Sequence, residues 1–555
     1  MDKMTRRDFL STTVKAGGAL IAASGAPELL SGGPRHPVDV PYDIVIKGGL
    51  IHDGTLAPPL QGDIGIVGDR IAAIGRLSGT APKIIDASGL IVTPGFIDVH
   101  NHADQALQRL SLRKDESELD PAFLGNHCYL YQGVTTVVAG NCGWGIPETD
   151  SWLKWANSAR LGTNTYQLAP HGVIRQKLFG ERQPGELTQT QLNLFKSAIS
   201  DSLAQGAVGI STGLAYSPGF LTRTQELIEL AKIVRKHGGL YVSHIRDEAG
   251  RPSGPGQFGV LESIKEAIEI GRRAEIPVQI SHLKISQPLA GVSAKMVLEL
   301  IETARTEGLD VTADQYPYDS GSSFLSILLP IEFVEKEGVK EKYKSPSGRG
   351  EVQKAIEQVF GYLPAEKILI AVYGASPEFE GKTLREISAG TGKTAGECFA
   401  DLVCGDEVAM GIFFSQDLGI VREIMPRDYV MTASDGWPVP KGLGRPHPRS
   451  YGTFPRKIRK FVLEEKVLGL SAALRSMTSL PAEKFRLKGR GKIVPGNFAD
   501  IAVIDLETIR DKATYLDPHQ YAEGVRSLLV NGIVAIENGK ATAERGGKGL
   551  GRDAG

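Results

Sequence analysis

Two histidines open the chemistry of this chain, in Gly95-Phe96-Ile97-Asp98-Val99-His100-Asn101-His102-Ala103-Asp104. An apolar run, Leu90-Ile91-Val92, leads through Thr93-Pro94-Gly95 into a strand-like stretch over residues 96–99. Side chains alternate faces along a strand, so positions i and i+2 project together, and neutral imidazoles placed so at a strand's end can grip one metal ion. Later apolar runs end in the same kind of residue: Asn141-Cys142-Gly143, His244 after Ser243, His282 after Ser281, and Asp435 between Ser434 and Gly436. Imidazole, thiolate and carboxylate together favour zinc over magnesium or calcium, which prefer oxygen shells. The set is large enough for one or two divalent ions. Taken singly, Cys142 could be a small buried hydrophobe and Asp435 a turn residue. Their recurrence at successive strand ends is what points to a site.

The elements that must position these residues alternate strand and helix. Apolar runs at 133–140, 166–169, 208–211, 240–243, 278–281, 311–313 and 430–433 follow the first strand. Helical patterns lie between them at 222–237, 260–274 and 293–306. The first of these opens on a Thr222-x-x-Gln225 capping box and stops at Gly238, with Leu227, Leu230, Ala231 and Val234 as its apolar stripe. Eight strands alternating with helices predict an α/β fold, a (β/α)8 TIM-like barrel with catalytic groups at the C-terminal strand ends. An open doubly wound sheet is the alternative, but no Gly-x-Gly-x-x-Gly follows the first strand.

Short strands with tight turns near both chain ends predict a small β-sandwich domain built from residues 41–93 plus 484–545. The barrel then takes 94–323 plus 417–483. The gap at 324–416 is too long for a plain loop and reads as a small domain inserted before strand eight, over the barrel mouth. The Gly- and charge-rich end, 544–555, is expected to be disordered. Residues 1–40 stand apart: Thr5-Arg6-Arg7-Asp8-Phe9-Leu10 resembles a twin-arginine export signal. The Gly/Ala-rich stretch after it is too short for a stable membrane anchor, so a periplasmic or extracytoplasmic home is expected.

A net charge of −1 gives no reason to expect nucleic acid or an anionic membrane as partner. Four cysteines in 555 residues do not make a disulfide framework.

With these motifs in this order, the chain resembles the amidohydrolase superfamily, and within it the D-aminoacylase (N-acyl-D-amino-acid deacylase) branch, from about residue 42 to about residue 540. In that branch a cysteine after strand two replaces the bridging carboxylated lysine of hydantoinases and dihydroorotases. The resemblance implies that Cys142 takes the bridging or tight-site role, that His244 and His282 join it on a tightly held zinc, and that His100, His102 and Asp435 form a second, weaker position. It implies a zinc-dependent amide hydrolase that frees N-acyl-D-amino acids of their acyl group by attack of metal-bound hydroxide. Asp435 would take the proton from the water and return it to the amine. Tyr216, Lys284, Tyr316, Tyr318 and residues 320–323 would line the substrate pocket. Arg445, in Gly444-Arg445-Pro446-His447-Pro448-Arg449, would take the substrate carboxylate as a bidentate pair. Relatives often carry His-x-His-Asp-Asp, and here Ala103 replaces the first of those aspartates. The partner implied is a small-molecule amide. Rival readings are a related amidohydrolase acting on cyclic amides or D-dipeptides, and a non-catalytic binding protein on the same fold. Acyl-group preference, side-chain preference and oligomeric state are not legible in the sequence.

Overall fold

A computed structural model describes residues 41–554 except 106–120, 181–182, 251, 255–256, 288–290, 331–332, 334–335 and 440. The export-signal-like segment lies outside the described residues.

The eight expected strands form at Phe96–Asp98, Val134–Ala139, Asn164–Gln167 (continued by Ala169–Pro170), Gly209–Gly213, Leu240–His244, Val278–Ile280, Val311–Gln315 and Val430–Thr432. Neighbours pair in parallel around the ring. The ring closes where Asn101 bridges Gly436 in parallel. At that seam Asp435 N donates to His100 O at 2.7 Å, and His102 N donates to Gly436 O at 2.9 Å. The last strand end is thus tied by its backbone to the first, which places three candidate site residues side by side.

Inside the ring, Ile97, Val99, Val138, Tyr166, Leu168, Val242 and Met431 pack with Phe485, Leu487 and Leu550. Outside it, the helices Thr224–Lys236, Gly259–Ala274 and Ala294–Thr306 cover the strands. Leu227, Leu230, Ala231 and Val234, the expected stripe of the first, are all buried. Each such leucine contributes about 2 kcal/mol relative to exposure. The capping box does not form. Arg223 is the N-cap and its side chain makes no capping bond, and the Thr222 hydroxyl lies 3.5 Å from His171 Nε2 instead, turned toward a buried imidazole.

Strands from both chain ends make one nine-stranded sheet. Ile91–Pro94 runs antiparallel to Ile501–Ile504, in register from Ile501↔Pro94 to Ile504↔Ile91, and leads straight into the first barrel strand. Asn531 and Gly532, at φ 49° and 76°, form the tight hairpin turn expected there. The terminal residues are a correction. Thr165 bridges Gly549, Leu550 N donates to Thr165 O at 2.9 Å, and Leu550 is buried. One apolar side chain and free backbone groups beside the third strand outweigh the polar composition.

The insertion holds two strands of a three-stranded antiparallel sheet, Met410–Phe413 and Ile368–Val372, and the third, Gly321–Phe324, starts before the expected boundary at 324. The helices Pro346–Tyr362, Leu384–Thr391 and Ala395–Cys404 accompany it, around a core that includes Val352, Ile356, Ile370, Leu384 and Phe399. Among the described residues, no helix is long and apolar enough to cross a membrane.

Candidate metal centre and substrate cavity

The strand ends bring His100, His102, Cys142, His244, His282 and Asp435 together, all of them buried. Cys142 Sγ lies 3.2 Å from His100 Nε2, 3.6 Å from His244 Nδ1 and 3.7 Å from His282 Nε2. Asp435 Oδ1 lies 3.2 Å from His102 Nε2 and 3.6 Å from His100 Nε2. Among the described residues, three triads have ligand atoms within 4.8 Å of one another: His100–Cys142–His282, His100–His102–Asp435 and His244–Glu248–His282. His100 belongs to the first two, and the thiol stands between the two halves of the site.

The backbone shows how this convergence is achieved. Cys142, His282 and Asp435 have φ of 56°, 33° and 50°, a left-handed conformation that residues with a Cβ seldom adopt. Three strands therefore end in sharp turns that aim a side chain inward, the kind of strain that collects at functional sites. Gly213 permits the close approach on one side, since a Cβ there would sit 2.0 Å from the Cys142 carbonyl oxygen.

Burial pushes His100 well below the usual imidazole range and His244 to about 3, so both rings are neutral and keep a lone pair for a metal. Burial raises the Asp435 carboxyl, but the Arg449 guanidinium and the nearby imidazoles outweigh it and hold the group well below the usual carboxylate range. Burial, with the Asp435 and Glu248 carboxylates, pushes the Cys142 thiol up. A divalent cation would reverse that and deprotonate it. Among the described residues, His100 Nδ1 and His102 Nδ1 have no hydrogen-bond partner. Neutral imidazoles, an ionised carboxylate and a thiol beside them form a donor set that fits zinc.

Three residues that carry the site were not singled out from the sequence. Glu248 Oε1 lies 2.9 Å from His282 Nδ1 and 2.6 Å from Lys284 Nζ, and Oε2 lies 3.7 Å from His244 Nε2. It thus backs both rings, leaving His244 Nδ1 and His282 Nε2 to face the thiol. Asp314 Oδ1 accepts from His282 N at 2.7 Å and lies 3.5 Å from His100 Nδ1. It is the last residue but one of the seventh strand, Val311–Gln315, and a carboxylate near the end of an apolar strand was its available signal. Arg449 Nη1 lies 2.9 Å from Asp435 Oδ2, and its guanidinium sits 4.7 Å above the Tyr316 ring.

A cavity of about 540 Å³ opens on the site, lined in part by Tyr216, Lys284, Tyr316, Ser322, Ser323 and Arg449. The Tyr216 ring stands edge-on to His244 at 4.7 Å, and its hydroxyl faces Ser323 Oγ at 3.3 Å. Trp144, Phe324, Leu328, Met410 and Phe413 give it an apolar wall, most of which comes from the insertion and its approach. Three expectations are corrected. Ser320 is fully buried and, unlike Ser322 and Ser323, does not line the cavity. Arg445 is exposed, outside the cavity, and donates to Leu516 O at 2.9 Å. Arg449, four residues on, is the arginine of that segment that faces the site. Tyr318 is buried away from the cavity, with its hydroxyl 3.4 Å from Pro448 O and its ring under Arg456. Asp104, retained beside Ala103, accepts from Gln167 Nε2 at 2.9 Å.

A family model described as the amidohydrolase family matches residues 421–536. The chain is 32% identical to a D-aminoacylase of Alcaligenes xylosoxydans xylosoxydans, over 93% of this chain and 98% of the relative. It is likewise 32% identical to an N-acyl-D-glutamate deacylase of the same organism, over 92% and 97%. A solved structure of N-acyl-D-glutamate deacylase from Bordetella bronchiseptica, complexed with zinc and a phosphonate mimic of the tetrahedral intermediate, superposes with a TM-score of 0.75. That chain is 30% identical, and the match covers 92% of this chain and 99% of that one.

Proposed function

The chain belongs to the D-aminoacylase family of amidohydrolases, and on that premise we propose that it is a zinc-dependent hydrolase removing the acyl group from N-acyl-D-amino acids. The observation that carries this reading is the placement of Arg449 and Tyr316 beside Asp435, next to the converged donors, in one cavity.

Cys142, His244 and His282 would hold one zinc, and His100, His102 and Asp435 a second position. Zinc, when bound, supplies a Lewis acid for the amide carbonyl and makes water acidic enough to react near neutral pH. Asp435, held ionised, accepts a proton at its carboxylate and returns it to the departing amine nitrogen. Burial raises the Tyr216 phenol well above its ordinary range, so it stays protonated and can donate to the carbonyl oxygen as negative charge develops. Arg449 takes the substrate α-carboxylate, which the planar guanidinium suits. The apolar wall receives the acyl group or the side chain and excludes water.

Amine release from paired N-acetyl-D- and N-acetyl-L-amino acids tests this reading. Selective release from the D series supports it; release from the L series alone, or from cyclic amides alone, refutes the substrate assignment.

We also propose export through the twin-arginine route to an extracytoplasmic compartment, supported by Thr5-Arg6-Arg7-Asp8-Phe9-Leu10 and the short apolar stretch behind it. A reporter fused to the first forty residues should be exported, and Arg6→Lys with Arg7→Lys should stop it. Export that survives the double change counts against this route.

A further inference from the structure

Arg449 opens the helix Arg449–Arg456, and a directed chain of hydrogen bonds behind it reaches a distant part of the sequence. The Arg449 backbone N–H donates to His447 Nδ1 at 3.0 Å. With Nδ1 accepting, the ring proton of neutral His447 sits on Nε2, which lies 2.8 Å from Ser320 Oγ and 3.1 Å from Ser320 O. Ser320 Oγ lies 2.7 Å from the Tyr515 hydroxyl, and that hydroxyl donates to Asp319 Oδ1 at 2.8 Å. With Tyr515 O–H given to Asp319, the Ser320 O–H is left to donate to Tyr515, and His447 Nε2–H donates to Ser320. The His447 proton is shared with the carbonyl oxygen of the same serine, so both of its acceptors belong to Ser320.

Ser320 and His447 are buried. Tyr515 packs its ring 4.8 Å from Phe414 and 5.3 Å from His447. It lies between the sheet strands Ile501–Ile504 and Val525–Val530, far along the chain from either partner. On the other side of the chain of bonds, Arg449 Nη2 donates to Ser322 O at 3.2 Å, two residues from Ser320.

We propose that Tyr515 is a positioning residue for the substrate carboxylate, setting Arg449 through Ser320 and His447. Tyr515 has this role only if Arg449 receives that carboxylate, the reading on which it rests. The excursion that carries Tyr515 then serves the site as well as the β domain.

Tyr515→Phe keeps the ring against Phe414 and His447 and removes the hydroxyl. KM for an N-acetyl-D-amino acid should rise about three- to tenfold, the effect of one lost hydrogen bond, with kcat and zinc content at wild-type values. The inhibition constant of the product D-amino acid should rise by the same factor, while that of the corresponding amine without the carboxylate stays put. Ser320→Ala interrupts the same chain and should reproduce this pattern, with the double variant no worse than the singles. An unchanged KM in a folded Tyr515→Phe enzyme, or equal losses for the amino acid and the amine, overturns the role of Tyr515 and leaves that of Arg449 standing. If the wild-type enzyme itself binds the D-amino acid and the amine equally, Arg449 does not hold the carboxylate, and both readings fall together.

Discussion

Glu248 Oε1 lies 2.9 Å from Nδ1 of His282, on the side of the ring opposite Cys142. A carboxylate behind a ligating imidazole fixes which nitrogen carries the proton and raises the basicity of the other. Glu248→Gln keeps the shape and removes the charge. Zinc affinity, read by chelator competition, should fall about 10- to 100-fold. Unaltered affinity would reduce Glu248 to a partner of Lys284.

Asp435 faces His102 through Oδ1 and Arg449 through Oδ2. Asp435→Asn leaves Cys142, His244 and His282 in place, so the first zinc should remain while kcat falls about 10²- to 10⁴-fold. Metal analysis and steady-state rates on the same preparation check both halves, and a variant with near-normal kcat would remove Asp435 from proton transfer.

Lys457 is buried, and its ammonium donates to two hydroxyls, Thr432 Oγ1 and Ser476 Oγ, both at 2.9 Å. Burial lowers its pKa to about 7. An unfolded lysine titrates near 10.4, so between about pH 7 and pH 10 the unfolded chain binds the extra proton. Stability from this group therefore rises with pH across that window, and below pH 7 its burial cost is felt in full. Lys457→Met should be more stable than wild type at pH 6, by a few kcal/mol at most, and the advantage should shrink by pH 10. Denaturant midpoints at the two pH values measure it; an advantage independent of pH would mean that Lys457 keeps its ordinary pKa.

Leu550 plugs the barrel core from the end of the chain. Leu550→Ala should cost about 2 kcal/mol in unfolding free energy and leave zinc content unchanged. A loss below about 0.5 kcal/mol, the scale of ordinary surface changes, would mean that the tail is not anchored there.

The barrel and its ligands were legible because each candidate ends an apolar strand, and strand ends of such a barrel converge whatever lies between them. Relations that depend on three-dimensional neighbours were not. Arg445 and Arg449 are chemically identical within one motif; Arg445 follows Gly444 at φ 64° on an exposed loop, while Arg449 starts a buried helix. Nothing in composition distinguishes them. Thr222 carries a proper capping sequence, yet His171 from another element claims its hydroxyl. The polar tail is ordered by a partner strand nearly four hundred residues away. Glu248 could have been found, four residues after His244, but its partner His282 lies on the next strand.

Zinc titration into metal-free enzyme, followed by amine release from an N-acetyl-D-amino acid and its L enantiomer, tests the central claim most directly. Activity should be absent without metal, appear with the first equivalent, favour the D enantiomer and fail to appear in Cys142→Ala. Full activity in the metal-free enzyme, or metal-dependent activity untouched by Cys142→Ala, would contradict a catalytic zinc held at these strand ends.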